Sequence, residues 1–166
     1  MLSRAENTKR LTFDALLVTL ALIFSYVEVL IPLFPALPGV KLGLANLVIL
    51  FALYRISARD AFLVNLARIL LAGLLFTGAY GLLYSLAGGI FSLLVMVLFK
   101  NTEHFSVLGV SMAGGVVHNL AQLAVAMLMV KNLNLLFYYP ALVLSGIVTG
   151  ILIGFATHLL LRFYRI

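Results

Sequence analysis

The feature that most constrains this chain is the length of its apolar stretches and the brevity of what separates them. Between residues 12 and 161 long hydrophobic runs are broken only by short segments at 32–40, 55–60, 77–81, 100–104 and 131–134. A helix needs roughly 20 apolar residues to cross the hydrocarbon core of a bilayer. The runs at 12–31, 82–99, 105–130 and 135–161 reach or approach that length, whereas those at 41–54 and 61–76 are shorter. None shows the turn-punctuated alternation of a lipid-facing barrel. Backbone in lipid must satisfy its own hydrogen bonds, so the runs read as helices. The expected fold is an all-α integral membrane protein, a single transmembrane domain over 1–166 with about six transmembrane helices. Five spans is the alternative, with the second or third run re-entrant.

Composition agrees. Hydrophobic residues make up 64% and charged residues 10%, against about 45–50% and about 25% in soluble domains. Without cysteine there is no disulfide, thiolate metal site or cysteine nucleophile. The net charge of +6 comes from Lys and Arg set singly between apolar runs, which is not the basic patch that nucleic acid requires.

Those cations report orientation instead. With six spans, Arg4, Lys9, Arg10, Arg55, Arg59, Lys100, Arg162 and Arg165 fall on one side, and Lys41 and Lys131 on the other. The positive-inside rule then makes both termini cytoplasmic, with 1–11 a cytoplasmic segment and 32–40 a Pro-rich outer loop. Tyr26, Tyr80, Tyr84, Tyr138 and Tyr139 form the outer aromatic belt, and Tyr54 and Tyr164 the inner one. The first run is too long for a signal-peptide core, carries Glu28 and lacks a small-x-small cleavage site, so it reads as a retained span.

In lipid the informative residues are the polar ones. An ionisable group inside a span costs about 2.5–3.5 kcal/mol on insertion scales, so it faces a cavity or a partner. Those residues are Glu28, Lys41, Arg68, His118 and His158, with Asn46, Asn65, Asn119 and Gln122 as neutral companions. Glu28 and Lys41 flank the loop holding Pro32, Pro35, Pro38 and Gly39. Proline presets φ and removes a donor, so that loop is stiff. It either folds as a lid over an outward-facing pocket, or Glu28 and Lys41 merely staple a hairpin.

In the fifth span Ser111, Gly115, His118, Asn119 and Gln122 share one side at 3.6 residues per turn. His118 sits about 18 Å along that span, near mid-membrane. The cluster reads as a polar cavity, with interhelical glue as the alternative. Arg68 keeps its charge and needs an anion, a carbonyl or water. The phrase Ser85-Leu-Ala-Gly88-Gly89 echoes Ser111-Met-Ala-Gly114-Gly115, which points to close backbone approach where the two spans cross. Gly146, Gly150 and Gly154 recur at every fourth residue, a helix-packing stripe that His158 extends by one step.

Several chemistries are missing. Magnesium–diphosphate chemistry needs clustered carboxylates, yet Asp14 and Asp60 are the only aspartates. No Gly-rich phosphate loop ends in Gly-Lys-Ser/Thr, and the histidines lack haem or zinc spacing. The expectation is a non-enzyme with no cofactor and no metal.

Pro38-Gly-Val-Lys41-Leu-Gly43-Leu-Ala-Asn46, Ala87-Gly-Gly89-Ile-Phe-Ser92 and Gly114-Gly-Val-Val-His118-Asn119-Leu-Ala-Gln122 resemble the small membrane family called Gx transporters. That family is also labelled heptaprenyl diphosphate synthase component I. The resemblance spans nearly the whole chain, departing at Ala121, where glycine is expected. It implies kinship with the substrate-binding S-components of energy-coupling factor (ECF) transporters. These are six-helix proteins of the bacterial cytoplasmic membrane that capture a vitamin or similar small molecule. They dock a membrane coupling subunit served by ATPase subunits. Ala15 and Thr19 are the nearest small-residue docking pair on the first helix.

The expected function is therefore a substrate-binding transporter subunit in the lipid bilayer. Glu28, Lys41 and Asn46 would line the mouth of its pocket, His118, Asn119 and Gln122 its floor, and Arg68 would orient an anionic group. The alternatives are a membrane component assisting isoprenoid or quinone metabolism, or a structural subunit of a membrane complex.

Overall fold

A computed structural model describes residues 4–30 and 43–163. Lys41 and the Pro-rich loop, with its lid reading, lie outside the described residues. Among the described residues there are six α-helices: α1 (Arg4–Leu30), α2 (Leu44–Arg55), α3 (Ala58–Ala72), α4 (Gly78–Asn101), α5 (Val107–Val130) and α6 (Tyr139–Phe163). A π-helical turn, Gly73–Thr77, extends α3, and a 3-10 turn, Leu133–Tyr138, leads into α6. There is no strand among the described residues.

Among the described residues four stretches are long and apolar enough to cross a membrane: Glu6–Leu30, Ala58–Asn101, Val107–Val130 and Leu133–Phe163. The second is a hairpin. In one straight helix Asn65 and Gly89 would lie about 36 Å apart, yet the Asn65 Nδ2 donates to the Gly89 carbonyl at 3.0 Å. The chain reverses at Gly78, whose φ of 69° and ψ of −176° fall in a region that essentially only glycine enters. The break expected at 77–81 is thus one glycine beyond a widened helical turn.

α2 has only 12 residues, about 18 Å of helix against a hydrocarbon core of about 30 Å. Every residue from Val48 to Leu53 is buried. A helix that is hydrophobic all round belongs in the interior, and α2 packs against α1, α3, α4 and α6. Its shortness follows from that position, because protein and not lipid surrounds it.

The contacts define two ends. Arg10 of α1 forms an ion pair with Asp60 at the start of α3. Ser57 caps α3 by accepting from the Asp60 amide at 3.1 Å. Lys100, closing α4, donates to the Leu53 carbonyl at 2.6 Å and lies over the Tyr54 ring. Phe99 and Phe105 stack across the α4–α5 turn, and a Cβ on Gly154 of α6 would touch Leu108 of α5. The beginning of α1 and the end of α6 therefore share this end, together with the cations Arg10, Arg55, Arg59 and Lys100. At the opposite end Tyr26 of α1 meets Phe76 edge-on, beside the reversal at Gly78. Helix α1 begins at Arg4, well before its apolar run, since Glu6, Lys9 and Arg10 are good helix formers.

Candidate functional site

Five of the polar residues singled out above converge on one region at the end away from the Arg10 and Lys100 contacts. Glu28, Asn46, Arg68, His118 and Gln122, from α1, α2, α3 and α5, line one chamber with Ser25, Thr77 and Ser85. Its free volume is about 20 Å³, room for a water molecule.

Glu28 accepts from the Leu44 amide at 2.6 Å. A carboxylate there satisfies an otherwise orphan donor at the start of α2 and complements the helix dipole. Arg68 is buried. Its Nε and one terminal nitrogen donate to the Asn65 Oδ1 at 3.1 and 2.9 Å, while Asn65 donates onward to Gly89. The Arg68 cation thus has an amide carbonyl as partner, held in place by α4, and still lines the chamber with the Glu28 carboxylate. Gln122 Nε2 donates to His118 Nε2 at 3.0 Å, one helical turn back. The Gln122 Oε1 is buried and has no hydrogen-bond partner among the described residues, which costs about 1–3 kcal/mol if nothing fills the vacancy.

Asn119 does not join the chamber. It donates across to the Leu142 carbonyl of α6 at 3.0 Å and lines two other spaces. One is a small cleft of about 20 Å³ shared with Asn46, Ser111, His118 and Thr149. The other is a larger cavity, about 400 Å³, between α4, α5, the 3-10 turn and α6. Asn119 and Gln122 contribute its amides, Tyr84 and Tyr138 its phenol rings, and Leu123, Ala126, Val130, Leu135 and Leu142 its apolar walls. Gln122 lines both the chamber and this cavity.

The glycines sort into two kinds. On the α5–α6 seam a Cβ on Gly115 would lie 2.5 Å from the Gly146 carbonyl oxygen. One on Gly146 would lie 2.7 Å from Val116 Cα, and one on Gly150 2.6 Å from Met112 Cα. Here backbone meets backbone. Elsewhere glycine makes room for side chains: a Cβ on Gly88 would lie 2.9 Å from the His118 ring, one on Gly89 would meet Ile69 and Asn65, and one on Gly114 would meet Met96 and Ser92.

Two expectations are corrected. The Ser-x-Ala-Gly-Gly phrases of α4 and α5 do not cross each other. Antiparallel packing sets Gly88 opposite His118 and Gly114 opposite Met96, so each phrase meets the other helix at a different level. His158 does not continue the glycine stripe: it is exposed, and Thr157 is fully buried instead. Steps of four residues advance about 40° beyond a full turn, which carries the stripe off the seam by the third step.

Ser25, Thr149, Tyr84 and Tyr138 were not expected to line these spaces. Thr149 had a signal, lying beside Gly150 on the packed face. The two tyrosines read equally well as interfacial anchors, and only the 3-10 turn folds Tyr138 back over α5.

No curated protein and no solved structure matches the chain. A family model does, over residues 17–160, and so takes in every helix that lines the chamber and the cavity. By that match the chain belongs to the family described as heptaprenyl diphosphate synthase component I.

Proposed function

We propose that this protein is the substrate-binding subunit of a small-molecule transporter in the cell membrane, related to the S-components of ECF transporters. The observation that carries the reading is the 400 Å³ cavity whose floor is the buried Asn119–Gln122 pair, joined through Gln122 to the Glu28–Arg68 chamber. Ligand sites are largely preformed, about 300–1,000 Å³ in size, mostly apolar, with a few convergent polar groups. If the chain crosses six times with its cation-rich end in the cytoplasm, as the positive-inside rule suggests, the cavity opens toward the outside, where a substrate is captured. On this reading α2 crosses as a short helix sheltered by its neighbours, Lys41 completes the pocket mouth, and a coupling subunit with ATPase subunits supplies energy. The protein binds and does not catalyse. Asp14 and Asp60 lie at the far end, both under the influence of Arg10, with no geometry for a metal–diphosphate in the cavity.

The test is native mass spectrometry of the purified protein. A retained small molecule, lost in Asn119→Ala and Gln122→Ala, is the expected result; no retained mass overturns the reading. A second reading is favoured by the family's description: a membrane component that assists prenyl-chain elongation. An elongation assay that requires this chain, with no ligand retained, would establish it in place of the first.

A further inference from the structure

The large cavity has a chemistry of its own. None of the described residues lining it carries a charge, so an ionic ligand would lose its hydration without a counter-charge, at a cost far above that of a hydroxyl or amide. A bare hydrocarbon fails for the opposite reason. Asn119 and Gln122 are nearly fully buried, at 4% and 5% exposure, and the Gln122 Oε1 has no donor.

We propose that the cavity holds an uncharged amphiphile with an apolar body and one hydroxyl-type head. The body packs against Leu123, Ala126, Leu135 and Leu142 between the rings of Tyr84 and Tyr138. The head sits at Asn119 and Gln122, where rotation of the Gln122 amide lets Oε1 accept the hydroxyl proton. The cavity wall is one side of α5, and the Glu28–Arg68 chamber lies beyond it, so no charged group among the described residues lines the space this ligand fills. The inference names the cargo of the transporter reading and rests on it.

The probe is a diazirine-bearing analogue of decan-1-ol, photolysed with the full-length protein in lipid nanodiscs and mapped by peptide mass spectrometry. Labels are expected on α5 and the 3-10 turn around Ala126 and Leu135. Competition is measured at equal membrane concentration, with decan-1-ol displacing the probe about tenfold better than decane or decanoate. Gln122→Met abolishes the preference for alcohol over alkane while labelling persists. Ala126→Phe fills the cavity and removes the labels from a protein that still elutes as a single species. Equal competition by decane overturns the proposal in favour of a groove for lipid acyl chains, and better competition by decanoate overturns the uncharged class. Because this binding is read without transport, the two readings fail separately. Alcohol-selective labelling with no ligand retained from cells sinks the transporter reading alone. A retained native ligand without alcohol selectivity sinks the ligand class alone.

Discussion

The two sides of α5 solve opposite problems with the same residue. Toward α6, Gly115 and the stripe Gly146, Gly150 and Gly154 bring two backbones together with no room for a methyl group. Toward α4, Gly88 makes the same saving of volume, but the space is filled by His118 and Gln122. In lipid there is little hydrophobic drive between helices, so close backbone packing and buried polar contacts hold the bundle. The seam relies mainly on the first means, with a small cleft beside Gly115 and Gly150. The α4 side uses the second and leaves cavities. A glycine in a membrane helix therefore says that something comes close, and its neighbour decides whether that is a helix or a site.

Substitutions break this contrast by graded amounts. The largest effect is expected on the polar side at Asn65→Leu, which strips the buried Arg68 of its acceptor. A loss of about 2–4 kcal/mol should show as a collapse of the monodisperse peak in detergent, and Asn65→Leu combined with Arg68→Met should recover much of it. On the α5–α6 seam Gly146→Ala drives a Cβ into the Val116 backbone, and overpacking of this kind costs about 1–3 kcal/mol. Thermal unfolding followed by loss of soluble protein measures it. Gly88→Ala separates the two roles most clearly. Its Cβ would meet the His118 ring and the Gln122 Cγ, side-chain atoms and not backbone, so stability should fall by about 1 kcal/mol or less while ligand retention in native mass spectrometry is lost. If Gly88→Ala proves as destabilising as Gly146→Ala, the contrast fails. Asp60→Asn, which weakens the half-exposed Arg10 contact far from either region, should change neither retention nor the unfolding profile at moderate salt.

Helix existence was legible because lipid leaves the backbone no other solution, and the apolar runs are long. The bundle-facing side of α5 was legible too, since Ser111, His118, Asn119 and Gln122 are costly residues at helical spacing. Partners were not. Nothing in the local sequence pairs Arg68 with Asn65 and Gly89, or Asn119 with the Leu142 carbonyl, because these contacts depend on how α3, α4, α5 and α6 are set against one another. That Asn119 turns to the Leu142 carbonyl and stays out of the chamber lined by His118 and Gln122 has the same cause: adjacent residues on a helix point about 100° apart, and different neighbours receive them.

By itself the sequence determined an all-helical membrane chain, its cation-rich end and its short set of buried polar residues. All three follow from transfer energies that act on each residue separately. Only the tertiary structure decided that α2 is a core element and that a cavity of about 400 Å³ lies between α4, α5 and α6. Each of these depends on which surfaces meet, and an apolar side chain fits lipid and protein almost equally well.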